Sequence, residues 1–422
     1  MDISPSIRNS SRDARADLPA PHSLSERVRS IALSPTIAMS ERAATLKAAG
    51  QDIISLAVGE PDFPTPAHIV DAAHAAAKRG FTRYTAPDGA AMLKDAVRTK
   101  LVRDNALHYA NDEIHTASGC KQVIHNALAA TLNPGDEVVL FAPYWTSYPD
   151  IVMFCGGVPV VADTSVGEGF IPDPAALTRR LSTRTKWVVV NSPNNPTGAV
   201  YTTDRLAQLV AAVAPHTRAM ILSDEIYEHL VFGNERHVSV ASITPGMRHR
   251  VLVVNGVSKS YAMTGWRIGF AAGPRWLIEA MGKVQSQTAG SSTSIAQAAA
   301  AAALTGDQSL LPAWQLIMRA RRDCATGILR TAPRLRVTPV SGAFYLFAGV
   351  ARCIGARTRK GHELTCDEDV AEYLLDHAGI AVVPGKAFGM SPYLRLSFAL
   401  EERRLEQACR RIVAALESLA GP

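Results

Sequence analysis

The chain of 422 residues has few cysteines, little charge and no long apolar run, and each shortage excludes something. Its six cysteines stand at positions 120, 155, 324, 353, 366 and 409, with the nearest two thirteen apart. No CxxC pair exists, so a zinc ribbon or dithiol redox site is excluded, and no metal is expected. A chain long enough to bury a large core needs no disulfide staples, which points to a reducing, cytoplasmic compartment. The longest all-apolar stretch, 298–304, falls far short of the roughly 20 residues that a membrane span requires. Residues 1–24 mix Ser, Pro, Arg and Asp without an apolar segment, which excludes a secretory leader. Acidic Asp2, Asp13 and Asp17 argue against a transit peptide, so a flexible tail is expected there. Charged residues make up only 19% against 47% hydrophobic, too few for a disordered chain. The net charge of +6 is mild, and no four Lys or Arg stand in a row. Arg319, Arg321 and Arg322, followed by Asp323, are the densest cluster, and their helical spacing predicts a solvated helix face. Small anions are therefore expected as ligands, and nucleic acid is not.

Several motifs are nearly present, and their defects narrow the chemistry. Gly379…Gly385-Lys386 is one residue too long for a P-loop, and Ala387 stands where Ser or Thr is needed. Gly256-Val257-Ser258-Lys259-Ser260 lacks the last glycine of a hydrolase nucleophile elbow. Neither GxGxxG nor HExxH occurs, and the Asn195-Pro196-Thr197 triplet cannot accept a glycan because of its proline. Nucleotide hydrolysis, serine-hydrolase chemistry and zinc catalysis lose ground.

What is present is an alternation of apolar strands and helices. Strands are predicted at 113–116, 137–141, 158–161, 187–191, 220–222, 251–254 and 268–271, with helices such as 122–132, 204–213 and 275–284 between them. Uninterrupted apolar runs imply burial on both faces, hence a mainly parallel sheet sandwiched by helices. After about residue 300 the texture changes to a long helix (310–330), strands at 344–347, 381–383 and 394–398, and a closing helix from Glu401. The expected architecture is α/β: a large domain over 66–300 and a smaller α+β domain built from 25–65 and 301–422.

Four segments place polar groups just after predicted strands, the edge where open α/β sheets bind ligands. They are SGCKQ (118–122), NSPNNPTG (191–198), SDEIYEHL (223–230) and GVSKSYAMTGWRIG (256–269). The last carries Lys259 behind a buried strand, with Arg267 eight residues on and small residues around both.

With LAVGEPDFPTP (56–66), YTAPDGAAMLKDAV (84–97), SGAFYLF (341–347), VVPGKAFG (382–389) and LRLSFA (394–399), this ordered set resembles the fold-type-I pyridoxal-phosphate aminotransferases of the aspartate aminotransferase family. The resemblance runs from about residue 25 to 418, and it implies pyridoxal 5'-phosphate as cofactor. It implies Lys259 as the lysine that holds the cofactor aldehyde and then moves the substrate proton, a task that needs a lowered amine pKa. Asp224 would keep the pyridine nitrogen protonated. Tyr227 and Asn195 would donate to the phenolic oxygen, and Trp145 would stack on the ring. Glu225 and His229 are expected to face elsewhere. Gly119 and Cys120, opening a helix, would offer backbone N–H groups to the phosphate, with Arg267 as its charged partner. The family often has serine at position 256; Gly256 here removes one hydroxyl contact, for which Ser258 is expected to compensate. Tyr84 would reach the phosphate of a neighbouring subunit, implying a homodimer with shared active sites. Arg395 would grip the substrate α-carboxylate as a bidentate fork, near the backbone of Gly59. If Arg395 is structural instead, it needs a buried acidic partner.

For the substrate side chain, the resemblance implies that Lys121, with Ser34 and Thr36, binds a second carboxylate. A ping-pong transamination of aspartate or glutamate with a 2-oxo acid is expected. Prephenate, aromatic or alanine substrates, a lyase on the same scaffold, and a cofactor-sensing regulatory module are the alternatives. The regulator would need a fused basic helix-turn-helix, for which the segments before 23 and near 422 leave no room.

Overall fold

The computed structural model describes residues 24–233 and 236–421; apart from Leu24, the expected tail lies outside the described residues. Seven strands form the principal sheet: β1 (Ile114–Ala117), β2 (Glu137–Ala142), β3 (Val158–Asp163), β4 (Thr185–Asn191), β5 (Met220–Asp224), β6 (Val251–Gly256) and β7 (Gly269–Ala272). Their order across the sheet is β1-β7-β6-β5-β4-β2-β3. All neighbours are parallel except β7, which runs antiparallel to both β1 and β6.

The apolar runs explain why both faces are covered. Along β4, Trp187 and Val189 face one core while Val188 and Val190 face the other, and β2, β5 and β6 alternate likewise. One layer contains α3 (Cys120–Thr131) and α5 (Arg275–Thr288); the other contains α1 (Ala67–Lys78), α2 (Ala91–Asn105), α4 (Thr203–Val213) and α6 (Ser294–Thr305). Thr202 caps α4 by accepting the Arg205 amide at 3.3 Å, the usual relief for an orphan donor in a first turn.

A second, antiparallel sheet of four strands lies downstream. Val383–Pro384 pairs with Tyr393–Ser397, then Tyr345–Gly349, then Arg336–Val337. The long helix α7 (Leu310–Leu329) and the closing helix α8 (Glu402–Glu417) pack on it around one core. That core also takes in Ile226, Tyr227 and Leu230 from the turn after β5. The site turn is thus clamped between the two sheets.

Three expectations need correction. The stretch 381–383 is not one strand: Ile380–Ala381 pairs in parallel with Ile54–Ser55, and Val383–Pro384 joins the antiparallel sheet. The boundary at 300 cuts through α6, whose Ala301, Ala303 and Leu304 belong to the core of the principal sheet. Arg321 does not lie on a solvated face. It is 7% exposed and grips Asp62 with both terminal nitrogens, at 2.6 and 3.0 Å, whereas Arg319 on the same helix is exposed.

Candidate active site

The strand register sets up the site. Asn191 of β4 lies beside Asp224 of β5, and Asp224 beside Val254 of β6, so the carboxyl ends of three neighbouring strands stop at one edge. Beyond that edge is a cavity of about 250 Å³. It is lined by Lys259, Asp224, Tyr227, Asn195, Arg267, Arg395, Trp145, Cys120, Lys121, Gly59, Ser34 and Thr36, together with Ser258, Tyr148 and Tyr345. Of the candidate residues, Gly119 stands behind Arg267, and Tyr84 lies outside the cavity, fully exposed at 100%.

Asp224 is buried, and burial pushes its carboxyl up to about 6; the Tyr148 hydroxyl, donating to Oδ2 at 2.6 Å, works against that rise. The Ile226 amide donates to Oδ1 at 3.3 Å. Tyr227 follows on a tight turn, its hydroxyl 2.9 Å from that of Tyr345, and burial raises both phenols. Glu225 turns away to accept from Ser223 at 2.7 Å and Ser239 at 2.8 Å, and His229 lies beside Glu228 and Asp104.

Four cationic side chains, Lys121, Lys259, Arg267 and Arg395, line the cavity against the single carboxylate of Asp224. Among the described residues none of the four has a carboxylate within 4.0 Å. Lys259 donates from Nζ to the Gly59 carbonyl at 2.7 Å. Burial pushes its amine down to about 8; Arg267 and Arg395 add to this, and Cys120 and Glu60 oppose it. Arg395 is 2% exposed in the middle of its sheet, between Phe347 and Val383. It donates to Asn195 Oδ1 at 3.1 Å and to the Ala57 carbonyl at 2.6 Å, and its Nε is buried with no partner. The Tyr345 and Phe388 rings lie 4.5 and 5.0 Å from its guanidinium. Among the described residues there is no acidic partner of the kind a structural role would require. Such a buried cation is costly unless an anion joins it.

At the opposite wall, Gly119 adopts φ +90° and opens α3. A Cβ there would come within 2.3 Å of Arg267 Nη2, so glycine permits the guanidinium to lie along the helix N-terminus. The amides of Cys120 and Lys121, in the first turn, have no intrahelical acceptor. Gly256 lies in the strand ladder opposite Gly269, outside the cavity lining. A Cβ at 256 would meet Ile268 O at 2.9 Å and Cys120 Sγ at 3.1 Å, so the cysteine takes up room that a serine would need. Lys121 Nζ lies 5.2 Å above the Trp145 ring; burial and Arg267 push its ammonium below the usual lysine value.

Sequence reasoning missed Tyr148 and Tyr345. Tyr148 stands three residues after Trp145 in YWTSY, and Tyr345 sits inside the quoted SGAFYLF, but nothing local signals that their hydroxyls meet Asp224 and Tyr227.

A partly buried lysine and a buried carboxylate at the carboxyl edge of a mainly parallel sheet meet an arginine from the second sheet in one cavity, the arrangement expected of the fold-type-I group-transfer enzymes that the sequence resembles. The model of the family "Aminotransferase class I and II" matches residues 51–412, and the chain belongs to that family. It is 45% identical to the aspartate/prephenate aminotransferase of Cereibacter sphaeroides over 397 residues, 94% of this chain and 99% of that protein. The crystal structure of the Rhizobium meliloti aspartate aminotransferase superposes with a TM-score of 0.91 at 44% identity, covering 94% of this chain and 99% of that one. The Thermus thermophilus aspartate aminotransferase with maleate gives a TM-score of 0.86 at 40% identity, covering 93% and 99%.

Proposed function

We propose that this aminotransferase uses pyridoxal 5'-phosphate and exchanges amino groups between aspartate or glutamate and 2-oxo acids in a ping-pong cycle. The observation that carries this reading is Arg395: a buried guanidinium with an orphan Nε and, among the described residues, no carboxylate partner, in the same cavity as Lys259 and Asp224. It is a receptor for a substrate carboxylate.

The residues fit the cofactor. Cys120 and Lys121 amides at a helix start, with Arg267 packed against Gly119, suit a phosphate dianion. Asp224 suits a protonated ring nitrogen, Tyr227 and Asn195 suit a phenolic oxygen, and Trp145, in the cavity lining, would stack on the ring. When bound, the cofactor supplies an electron sink for the substrate α-carbon. The chain does the rest. Arg395 holds the α-carboxylate and thereby presents the Cα–H bond toward Lys259. Lys259, its amine lowered to about 8 by burial, would accept that proton at Nζ and deliver it to the cofactor's aldehyde carbon. The Gly59 carbonyl holds the amine between these steps.

Tyr148 tunes Asp224. Tyr148→Phe removes a hydrogen bond that lowers the Asp224 pKa, so more of the carboxyl is protonated at a given pH. Cofactor affinity, read by fluorescence quenching across pH 5–8, should weaken with its midpoint moved upward. An unmoved midpoint would remove Tyr148 from the site.

Lys121, Ser34 and Thr36 line the outer wall and receive the second carboxylate. Lys121→Ala should raise KM for aspartate by about 10–100-fold, the worth of a charge-assisted hydrogen bond, and leave that for alanine within threefold. Equal effects on both substrates would sink this assignment. Prephenate carries two carboxylates as well and suits the same pair of cations; the Cereibacter relative is named for it. End-point assays of amino donors against 2-oxoglutarate, oxaloacetate and prephenate test the whole reading; release of ammonia or pyruvate in place of amino transfer would overturn it.

Two further features belong to this reading. Full exposure of Tyr84 supports a homodimer in which it reaches the partner's phosphate site. All six thiols are free, which supports a cytoplasmic enzyme.

A further inference from the structure

Residues 57–65 form a strap that lines the site at Gly59, and among the described residues they make no backbone–backbone hydrogen bond. Their path is set by side chains instead. Three prolines, Pro61, Pro64 and Pro66, stiffen the strap or its exit. On one side it meets the loop that carries the lysine: Thr264 donates to Glu60, and Thr65 donates to the Ala262 carbonyl at 2.7 Å. On the other side it meets α7. Arg321 clamps Asp62 with two parallel bonds, and its guanidinium lies 5.1 Å from the Phe63 ring. Phe63 in turn stacks on Trp314 at 4.5 Å and 18°. At the head of the strap, Gly59 turns its carbonyl to Lys259 Nζ. A side chain at 59 would run into the Tyr345 hydroxyl at 2.2 Å, so this approach is close and tightly bounded.

We propose that Arg321 and Asp62 are positioning residues for Lys259, acting through the Gly59 carbonyl. The proposal rests on the reading of Lys259 as the proton-moving amine. A bidentate guanidinium–carboxylate pair fixes both the distance and the plane of Asp62, which a monodentate contact does not. Through a stiff strap without a ladder of its own, that placement is carried to the carbonyl three residues upstream. An amine displaced by a fraction of an ångström loses proton-transfer efficiency without losing substrate affinity. The charged and titratable groups facing Lys259 are Glu60, Cys120, Arg267, Arg395 and Asp224; none is itself substituted in the variants at 62 or 321, and Glu60, which favours the ammonium, rides on the same strap and moves with Gly59.

The test uses the holoenzymes of Arg321→Lys, Asp62→Asn and the double variant. Each single change should lower kcat by about tenfold, with KM for aspartate and the 2-oxo acid within twofold; the double variant should be no worse than either. A second readout is the rate at which apoprotein takes up pyridoxal phosphate as a function of pH. A carbonyl that accepts from the ammonium favours it, so a displaced Gly59 lowers the amine pKa, and the midpoint should move down by roughly half a unit. Unchanged kcat and an unchanged midpoint would overturn the proposal, even with a lowered melting temperature, because the pair would then serve stability alone. Asp62→Asn is nearly isosteric and serves as the folded variant should Arg321→Lys be unstable. If cofactor uptake persists unaltered in Lys259→Ala, the reading of Lys259 itself falls, whatever the strap variants do.

Discussion

Lys259→Ala should lose turnover by roughly 10⁴-fold or more, together with the visible absorption band that marks the lysine-bound cofactor. The size follows from the two roles proposed for it, lost at once: the covalent anchor and the group that moves the α-proton, the latter alone worth about 10²–10⁴. No other amine can substitute in place. Lys121, which also lines the cavity, has its Nζ held over the Trp145 ring. The fold should hardly notice the change. Lys259 makes one hydrogen bond, to Gly59 O, and its ammonium is destabilised by burial in the native state. Removing it should leave the melting temperature of the apoprotein within a few degrees of the parent. Absorbance spectra and initial rates on the same preparation decide the matter. A variant that keeps the band and most of its turnover would refute the assignment.

The parts of the site that could be read from sequence share one property. Lys259, Asp224, Asn195 and Cys120 each follow an apolar run, and parallel strands bring the ends of such runs to one edge. The principal sheet was legible for the same reason, since burial on both faces leaves uninterrupted apolar segments. What escaped depends on partners far apart in the chain. Tyr148 meets Asp224 across 76 residues, Tyr227 meets Tyr345 across 118, and Arg321 meets Asp62 across 259. Arg321 misled for a further reason: it shares its helical turn with two arginines that are less buried, so charge spacing alone suggests a solvated face. The split at Val382 was equally hidden. Its two flanking pairs of residues join different sheets, and no change of composition marks the switch.

Asp224→Asn separates what the site costs the fold from what it does for the reaction. Turnover should fall by about 10³-fold, the loss typical of one preorganised electrostatic partner in a buried site. The apoprotein, in contrast, should gain stability. The folded-state pKa of Asp224, about 6, stands above its unfolded value of 3.8, with burial as the cause. Below about pH 4 the group is protonated in both states and costs nothing. Between about pH 4 and 6 the unfolded chain ionises while the folded one keeps its proton, so the penalty accumulates there, and above 6 it persists in full. Two pKa units correspond to about 3 kcal/mol at most, and an asparagine amide that must find its own acceptor offsets part of it. The variant's apoprotein should therefore melt a few degrees above the parent at pH 7.5, and the two should converge near pH 4. Saturating cofactor should reverse the order, because the parent's carboxylate regains a cationic partner that asparagine cannot match. Melting curves of the apo and cofactor-loaded forms at both pH values read all of this. A parent apoprotein that is the more stable at pH 7.5 would mean that the Tyr148 and Ile226 hydrogen bonds already compensate the charge, and that Asp224 is held ready at no cost to the fold.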